Sequence, residues 1–425
     1  MYIALLFGSF LIVLLLGFPV AVALGIASIL YLLAKGLPLE VLPQTMYSGM
    51  DSFVLLCIPG FILAGNLMNG GGITDRIIRF ANALVGSIRG GLGLTSIVGS
   101  MIFAGISGTA VAEAASIGSV MIPGMRRAGY PASFAAALVA SASTVGPIIP
   151  PSVPMIIVGT LTGISVGRMF IAGAVPGILL GVGMMLTCYL IAVRNGYPRE
   201  PWKGFHELTR SFGGAVWALL MTFLILFGIV GGFFTPTEAA IVAALYAFVI
   251  GLFVYRGFTL KDLPKLLIDS AVSSAAIILI VGFAASFGWI LTAERIPQTI
   301  ADAVLSITDN KYVVILLINI LLLIVGMFME TIAALIILFP PLLAVATQVG
   351  IDPVHFATFA VLNLMIGLTT PPVGVCLFVC ANIAKISLVD ITRAVLPFLV
   401  ANLTVLMLVS YIPALSLWLP NLLFD

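Results

Sequence analysis

Charged residues are scarce in this chain of 425 residues. Lysine, arginine, aspartate and glutamate make up 8% of the sequence, whereas a soluble globular domain uses about 25% to cover its surface. Apolar residues make up 62%. A soluble protein is therefore excluded, and a net charge of only +2, spread over many loops, excludes a nucleic-acid partner. The composition predicts an all-α polytopic membrane protein with roughly ten membrane elements of about 20 residues each.

Cysteine and histidine are also rare, with four and two copies. The cysteines all lie in apolar runs, and Cys376 and Cys380 have no histidine or acidic residue near them, so we expect neither a disulfide nor a transition-metal site. No Gly-x-x-x-x-Gly-Lys-Ser/Thr pattern occurs, so ATP does not energise this chain directly. We expect no organic cofactor.

Long apolar runs account for much of the sequence. The uninterrupted spans predicted from hydropathy are 3–33, 51–69, 168–193, 213–233, 237–255, 271–292 and 394–418. The first run has no basic region before it and exceeds the length of a signal-peptide core, so we expect a retained span rather than a cleaved leader.

Two further apolar segments are interrupted in the middle. Residues 91–125 contain the small-residue run 105–109, and each arm is too short to cross a bilayer, which predicts a re-entrant helical hairpin. Residues 131–165 contain three prolines within 147–151, which no continuous helix tolerates. A broken membrane helix leaves backbone groups unpaired, and this is permitted only inside protein or along a polar cavity.

The second half repeats this arrangement. A hairpin over 312–349 is followed by a broken helix over 354–383, and the pair Pro371-Pro372 lies 221 positions after Pro150-Pro151. Two copies of one unit account for this spacing, so we predict a first repeat over 1–194, with its hairpin, broken helix and helix 168–193. We predict a basic loop and linking helix over 195–235, and a second repeat over 236–425 that ends in helix 394–418.

Basic residues indicate the orientation of the repeats. The first hairpin is flanked by Arg89 and by Arg126-Arg127, which predicts that both of its ends are cytoplasmic, and the loop 194–210 is the densest basic cluster. The second hairpin lacks such flanks and is expected to enter from outside. The two repeats are thus inverted, with the N-terminus cytoplasmic and the C-terminus outside.

The interruptions predict paired sodium sites. The first half of a broken helix ends in free carbonyls that attract cations, and serine and threonine hydroxyls add neutral oxygen ligands. The predicted sodium ligands are Ser107, Gly108, Thr109, Ser143, Thr144, Gly146 and Pro147 in the first half, and Gly326, Met329, Thr331, Gly367, Thr369, Thr370 and Pro371 in the second. Close packing of small residues is the alternative explanation for each residue taken alone. Glu113 and Glu330, just beyond the tips, fit either a functional role or compensation of a helix terminus.

Three segments carry a resemblance to a known family: Phe103 to Ala110, Pro147 to Ser152, and Leu368 to Gly374. Together with the rest of the chain they resemble the large, DctM-like membrane subunit of tripartite ATP-independent periplasmic (TRAP) transporters, a branch of the ion transporter superfamily of elevator carriers. The resemblance implies sodium-coupled import of an organic anion, such as a C4-dicarboxylate or sialic acid, across the bacterial inner membrane. It also implies a periplasmic substrate-binding protein and a small membrane subunit as partners.

Substrate contacts are expected at the same tips and breaks, at Thr109, Pro150, Ser152 and Thr331. Related carriers of dicarboxylates have Ser-Asn-Thr at both tips, whereas the second tip here reads Met329-Glu330-Thr331, so the selected carboxylate stays open. We expect no catalytic residue. The alternatives are a sodium-coupled carrier without a binding protein, a passive channel, and an intramembrane protease with Ser107 as nucleophile and His355 as base.

Overall fold

The computed structural model describes residues 2–424, apart from the side chains of Leu15, Ile106, Ser107, Ala301, Val304, Leu305 and Ile307. Within this range the chain forms α-helices joined by short turns, and no strand occurs. Eight of the described helices are long and apolar enough to cross a membrane. The prediction of an all-α polytopic membrane protein is confirmed.

The first half contains ten helices among the described residues. They are α1 (Tyr2–Leu15), α2 (Val20–Lys35), α3 (Val41–Met50), α4 (Cys57–Gly70), α5 (Ile73–Val85), α6 (Gly91–Ser107), α7 (Ala110–Arg127), α8 (Ala132–Ala142), α9 (Val153–Thr162) and α10 (Val166–Asn195). One 3₁₀ turn over Phe53–Leu56 leads into α4, and another over Ser143–Val145 follows α8.

The second half contains another ten helices in the described range. They are α11 (Gly204–Val230), α12 (Pro236–Val249), α13 (Leu263–Ala293), α14 (Ile296–Ile307), α15 (Lys311–Phe328), α16 (Thr331–Gln348), α17 (Pro353–Gly367), α18 (Val375–Ala384), α19 (Leu388–Tyr411) and α20 (Ala414–Phe424). A π-helical turn over Ile250–Val254 continues α12.

The predicted single span over 3–33 is wrong, because this segment forms the two helices α1 and α2, which pack against each other. Gly17 separates them with φ of +86°, a left-handed conformation that favours glycine. Pro19 follows and sets the N-terminus of α2. The chain therefore makes one additional reversal of direction before the first hairpin, which the hydropathy does not predict.

The predicted last helix over 394–418 is also wrong at its end. Helix α19 stops at Tyr411, and α20 begins at Ala414 after Pro413, which cannot donate the backbone hydrogen bond that a continuing helix requires. Helix α20 packs against α10 and α17.

Two sets of helices can be distinguished by their packing, and they contact each other through α13 and α16. In the first group the hairpin and broken helices contact each other across the two halves of the chain: α7 packs on α18, and α9 packs on α16. In the second group α13 packs on α2, α3 and α4, while α4 also packs on α12. At the end of α13, Glu294 accepts hydrogen bonds from Lys35 and Tyr31, and the bond from Lys35 lowers the pKa of this partly buried carboxyl.

Candidate functional site at the two helix breaks

The first hairpin turns through only two residues, Gly108 and Thr109. Gly108 ends α6 with φ of +62°, and Thr109 is extended at the N-terminus of α7. A side-chain carbon at Gly108 would lie 3.6 Å from the Pro151 carbonyl oxygen and 3.3 Å from a methyl group of Val153. The tip of the first hairpin therefore rests on the break in the first broken helix. The side chain of Ser107 lies outside the described part.

Hydroxyl groups line the first break, and all of them are buried. Ser143 donates to the carbonyl of Ala140 at 2.8 Å, and Thr144 donates to the carbonyl of Ser141 at 2.7 Å. Since each hydroxyl uses its only proton on its own helix, the oxygen lone pairs are left as acceptors. Such oxygens are suitable ligands for a hard cation.

Ser152, a predicted substrate contact, has a structural role at the break. Its hydroxyl donates to the Pro147 carbonyl and accepts from the backbone N–H of Met155, so it caps α9. The peptide bond between Pro150 and Pro151 is cis, and both residues are buried. Ser152 is therefore committed to holding the break itself.

The second hairpin and the second break touch through their backbones. A side-chain carbon at Gly367 would lie 2.6 Å from the carbonyl carbon of Gly326, which leaves room only for glycine. Thr369 and Thr370 both donate to the carbonyl of Ile366, at 3.0 and 2.8 Å. The break thus has the same arrangement of back-bonded hydroxyls as the first one.

The residues around the second break resemble those around the first break in their backbone conformation and burial. The peptide bond between Pro371 and Pro372 is cis, like its counterpart in the first half. Met329 is extended between α15 and α16. The Thr331 hydroxyl is buried and has no hydrogen-bond partner. An unpaired buried hydroxyl is unusual and often marks a ligand site.

Both tips and both breaks meet at one small cavity of about 60 Å³. Thr109 and Thr331 line it from the two tips, and Pro147 and Leu368 line it from the two breaks. Pro150 and Ser152 do not line it. The cavity is much smaller than ordinary ligand pockets of about 300 Å³ or more, so an organic anion needs space outside it.

A larger cavity of about 380 Å³ lies between the two helix groups. Ser48 and Ser52 line it from the side of α3, Thr160 from α9, and Thr292 from the end of α13. No local pattern in the sequence predicts this cleft, because it forms between helices that are far apart in the chain.

The two acidic residues beyond the tips have different environments. Glu330 accepts hydrogen bonds from the backbone N–H groups of Ile332 and Ala333, at 2.9 and 3.1 Å, and so caps α16. Glu113 lies one turn inside α7, is fully buried, and neither of its carboxyl oxygens has a hydrogen-bond partner. Glu330 therefore caps a helix terminus directly, whereas Glu113 lies in the first turn of α7 and caps no backbone amide.

Both ring nitrogens of His355 are engaged in hydrogen bonds, so neither is free to act as a catalytic base. One ring nitrogen lies 2.7 Å from the Ser416 hydroxyl, and the other lies 3.1 Å from the Ser410 carbonyl. His355 is near the start of α17, whereas the second break follows the end of the same helix, about 18 Å away. The geometry gives no support to the protease alternative.

Comparison with known proteins identifies the family. Residues 7–415 match the family described as the tripartite ATP-independent periplasmic transporter, DctM component. The chain is 43% identical, over 96% of its length and 95% of the relative's, to the sialic acid TRAP transporter large permease protein SiaM of Vibrio cholerae. It is 44% identical, over 88% of both chains, to the C4-dicarboxylate TRAP transporter large permease protein DctM of Pseudomonas aeruginosa.

Solved structures show the same fold at lower identity. The YdaH transporter of Alcanivorax borkumensis superposes with a TM-score of 0.61 at 15% identity, covering 88% of this chain and 87% of that one. With the family match over nearly the whole chain, the resemblance noted in the sequence is confirmed. This protein belongs to the DctM family of large permease subunits of tripartite ATP-independent periplasmic transporters.

Proposed function

We propose that this chain is the sodium-coupled carrier subunit that imports an organic anion delivered by a periplasmic binding protein. The observation that carries the proposal is the convergence of both hairpin tips and both broken helices on one cavity lined by Thr109 and Thr331. The relatives are named for sialic acid and C4-dicarboxylates, which are carboxylates. A carboxylate is therefore the proposed substrate class.

Sodium is favoured over other energy sources by the chemistry of the breaks. Ser143, Thr144, Thr369 and Thr370 all direct their protons to nearby carbonyls, which leaves neutral oxygens as acceptors. Neutral oxygens suit a monovalent cation, and free carbonyls at broken helices complete its shell. These are the predicted sodium ligands, and they stand here as a proposal.

We propose an elevator mechanism, which the packing of the two helix groups supports. The hairpins and broken helices pack on one another across the halves of the chain, so they are suited to move as one rigid transport domain. The group around α13 would form the scaffold, with α5 and α14 as connecting arms. The amphipathic pattern of α5 fits such an interfacial arm. The inverted repeat over 1–194 and 236–425 supplies the symmetry that alternating access requires.

Besides the bilayer and the organic anion, we propose two protein partners for this chain. A periplasmic binding protein would deliver the substrate, and a small membrane subunit would pack against the scaffold. This chain matches 65% of the length of the isethionate TRAP transporter permease protein DctMQ of Oleidesulfovibrio alaskensis. The relative therefore carries an additional segment. The alternative is a sodium-coupled carrier that acts without a binding protein.

Uptake in reconstituted vesicles tests the function. With the proposed binding protein and small subunit present, a labelled carboxylate should accumulate only when sodium is present outside the vesicles. Equal uptake in choline chloride, driven by a proton gradient, would contradict the sodium proposal. Sodium-dependent uptake that is equally fast without the binding protein would favour the alternative carrier.

The proposed location is the bacterial inner membrane, with α20 on the periplasmic side. The added reversal between α1 and α2 changes the orientation of the beginning of the chain. If the first hairpin has cytoplasmic ends and α1 and α2 both cross, residue 2 lies outside and the turn at Gly17 and Phe18 lies at the cytoplasmic surface. This replaces the cytoplasmic N-terminus that a single first span implied.

Cysteine labelling tests this topology in a background without the native cysteines. Cysteines at Phe18, which is 49% exposed, and at Thr209, which is also exposed, should react with an impermeant maleimide only from the cytoplasmic side. A cysteine at Asp309 should react only from outside. A Phe18 cysteine that is labelled only from outside, or only after solubilisation, would contradict the two crossings of α1 and α2.

A further inference from the structure

The linker between the two halves of the chain, residues 196–203, lies at a membrane surface. The helices on both sides of it, α10 and α11, are long and apolar enough to cross a membrane. Helix α11 is about 40 Å long, whereas the hydrocarbon core of a bilayer is about 30 Å thick. The polar residues of α11 lie in its first two turns, 204–211. The linker and these two turns therefore belong to the headgroup layer.

The inner side of the linker is attached to the rest of the protein. The backbone N–H of Glu200 donates to the Gly86 carbonyl at 3.1 Å, and the Glu200 carboxylate accepts from the Asn82 amide of α5 at 3.0 Å. The ring of Tyr197 packs on that of Tyr130, with centroids 4.8 Å apart. The linker backbone is therefore anchored, and its outward side chains are presented from a defined place.

Two aromatic side chains at the end of the linker face outward. Trp202 is 49% exposed and Phe205 is 77% exposed, and their rings form a T-shaped pair with centroids 5.8 Å apart. Aromatic side chains are enriched at the headgroup level of membrane proteins, where one part of the ring contacts lipid. The pair is therefore suited to insertion among lipid headgroups.

The residues beside this pair are mostly basic. The exposed basic side chains are Arg194, Arg199, Lys203 and Arg210. The same stretch has two acidic residues, Glu200 and the half-buried Glu207. The Glu200 carboxylate is used within the protein by Lys203, at 2.8 Å, and by Asn82. The surface around Trp202 and Phe205, which we call the linker surface, is therefore positively charged as well as apolar.

We propose that the linker surface binds an anionic phospholipid, with Trp202 and Phe205 inserted among the lipids and Arg199 and Arg210 at the phosphate. The planar guanidinium group of arginine donates several N–H groups and fits phosphate oxygens better than a point charge does. A basic cluster next to a membrane helix is also attracted to anionic headgroups in general. This inference is independent of sodium coupling, because it requires only that α10 and α11 cross the membrane.

Quenching of Trp202 fluorescence by brominated lipids tests the inference. The full chain should keep Trp202 as its single tryptophan, with phenylalanine in place of Trp217, Trp289 and Trp418. It is reconstituted in bilayers with equal mole fractions of brominated phosphatidylglycerol or brominated phosphatidylcholine. The binding constant obtained from quenching should be at least about fivefold higher for phosphatidylglycerol, the preference expected from one basic residue near an anionic lipid. The preference should shrink in about 1 M salt, where charges are screened within about 3 Å.

A matched pair of double variants separates this site from general charge attraction. Arg199→Gln with Arg210→Gln should reduce the preference to less than about twofold. Lys261→Gln with Lys265→Gln removes the same charge from the region between α12 and α13, and it should leave the preference unchanged. A chain with Trp217 as its single tryptophan, further along α11, should be quenched equally by the two lipids.

Two results would overturn the inference. Equal quenching of Trp202 by both lipids would show that the aromatic pair lies in the interface without selecting a headgroup. Absence of quenching by either lipid would place the linker surface away from the bilayer. A preference that persists after both arginine substitutions would likewise contradict the proposed phosphate contacts. None of these results affects sodium-dependent uptake, so the proposed function is tested separately.

Discussion

Replacing Thr370 by valine is expected to raise the sodium concentration for half-maximal uptake by about tenfold, the equivalent of about 1.4 kcal/mol. Thr370 donates its proton to the Ile366 carbonyl at 2.8 Å and so presents its oxygen lone pairs to the second break. Valine has nearly the same volume but no oxygen, so one proposed sodium ligand disappears. Initial uptake rates measured over a range of sodium concentrations provide the test.

Thr358→Val is the matched control for this substitution. Thr358 lies within α17 and, like Thr370, is buried. Its hydroxyl donates to a helix carbonyl, that of Val354, at 2.8 Å. Both variants lose one buried hydrogen bond worth about 1 kcal/mol of stability, but only Thr370→Val loses a proposed ligand. Equal sodium dependence in the two variants would show that the Thr370 hydroxyl serves packing alone.

The substitution Thr331→Val tests the loss of a proposed sodium ligand with little expected change in the stability of the protein. The Thr331 hydroxyl is buried without a partner, so its removal breaks no hydrogen bond of the protein. The sodium requirement should rise while the melting temperature in choline chloride stays near that of the wild type. A lower melting temperature with an unchanged sodium requirement would assign Thr331 to folding.

Crosslinking the two helix groups should abolish uptake if the hairpins and broken helices move as one domain. Ser52 and Thr160 line the same cleft from opposite groups, in the cavity of about 380 Å³ and in the neighbouring one of about 390 Å³. Cysteines at these positions, joined by a short bifunctional thiol reagent, would hold the transport group against the scaffold. Docking of the binding protein should persist, because it does not require the movement.

A pair within the scaffold is the control. The hydroxyls of Thr45 and Ser286 lie 2.7 Å apart, and both belong to the group around α13. Crosslinked cysteines there should leave uptake near the level of the uncrosslinked variant. Full uptake by a quantitatively crosslinked Ser52 and Thr160 pair would exclude an elevator movement and favour local gating.

Local features of the sequence predicted the membrane class, the hairpin tips and the helix breaks. Hydropathy is a property of consecutive residues, and the prolines from Pro147 to Pro151 interrupt a helix wherever they occur. The same local signals were present at Gly17 and Pro19. The length of the apolar run outweighs them, and hydropathy therefore predicts one span where the structure has α1 and α2.

The order of residues alone places an acidic side chain after each hairpin tip, but the roles of these two residues depend on tertiary contacts. Glu330 lies at the N-terminus of α16 and reaches the free amides there, whereas Glu113 lies one turn into α7. Packing of α7 against α6, the first break and α18 then buries Glu113 against Gly146. The cleft lined by Ser52 and Thr160 has the same origin, since it depends on contacts between helices distant in the chain, which no local pattern encodes.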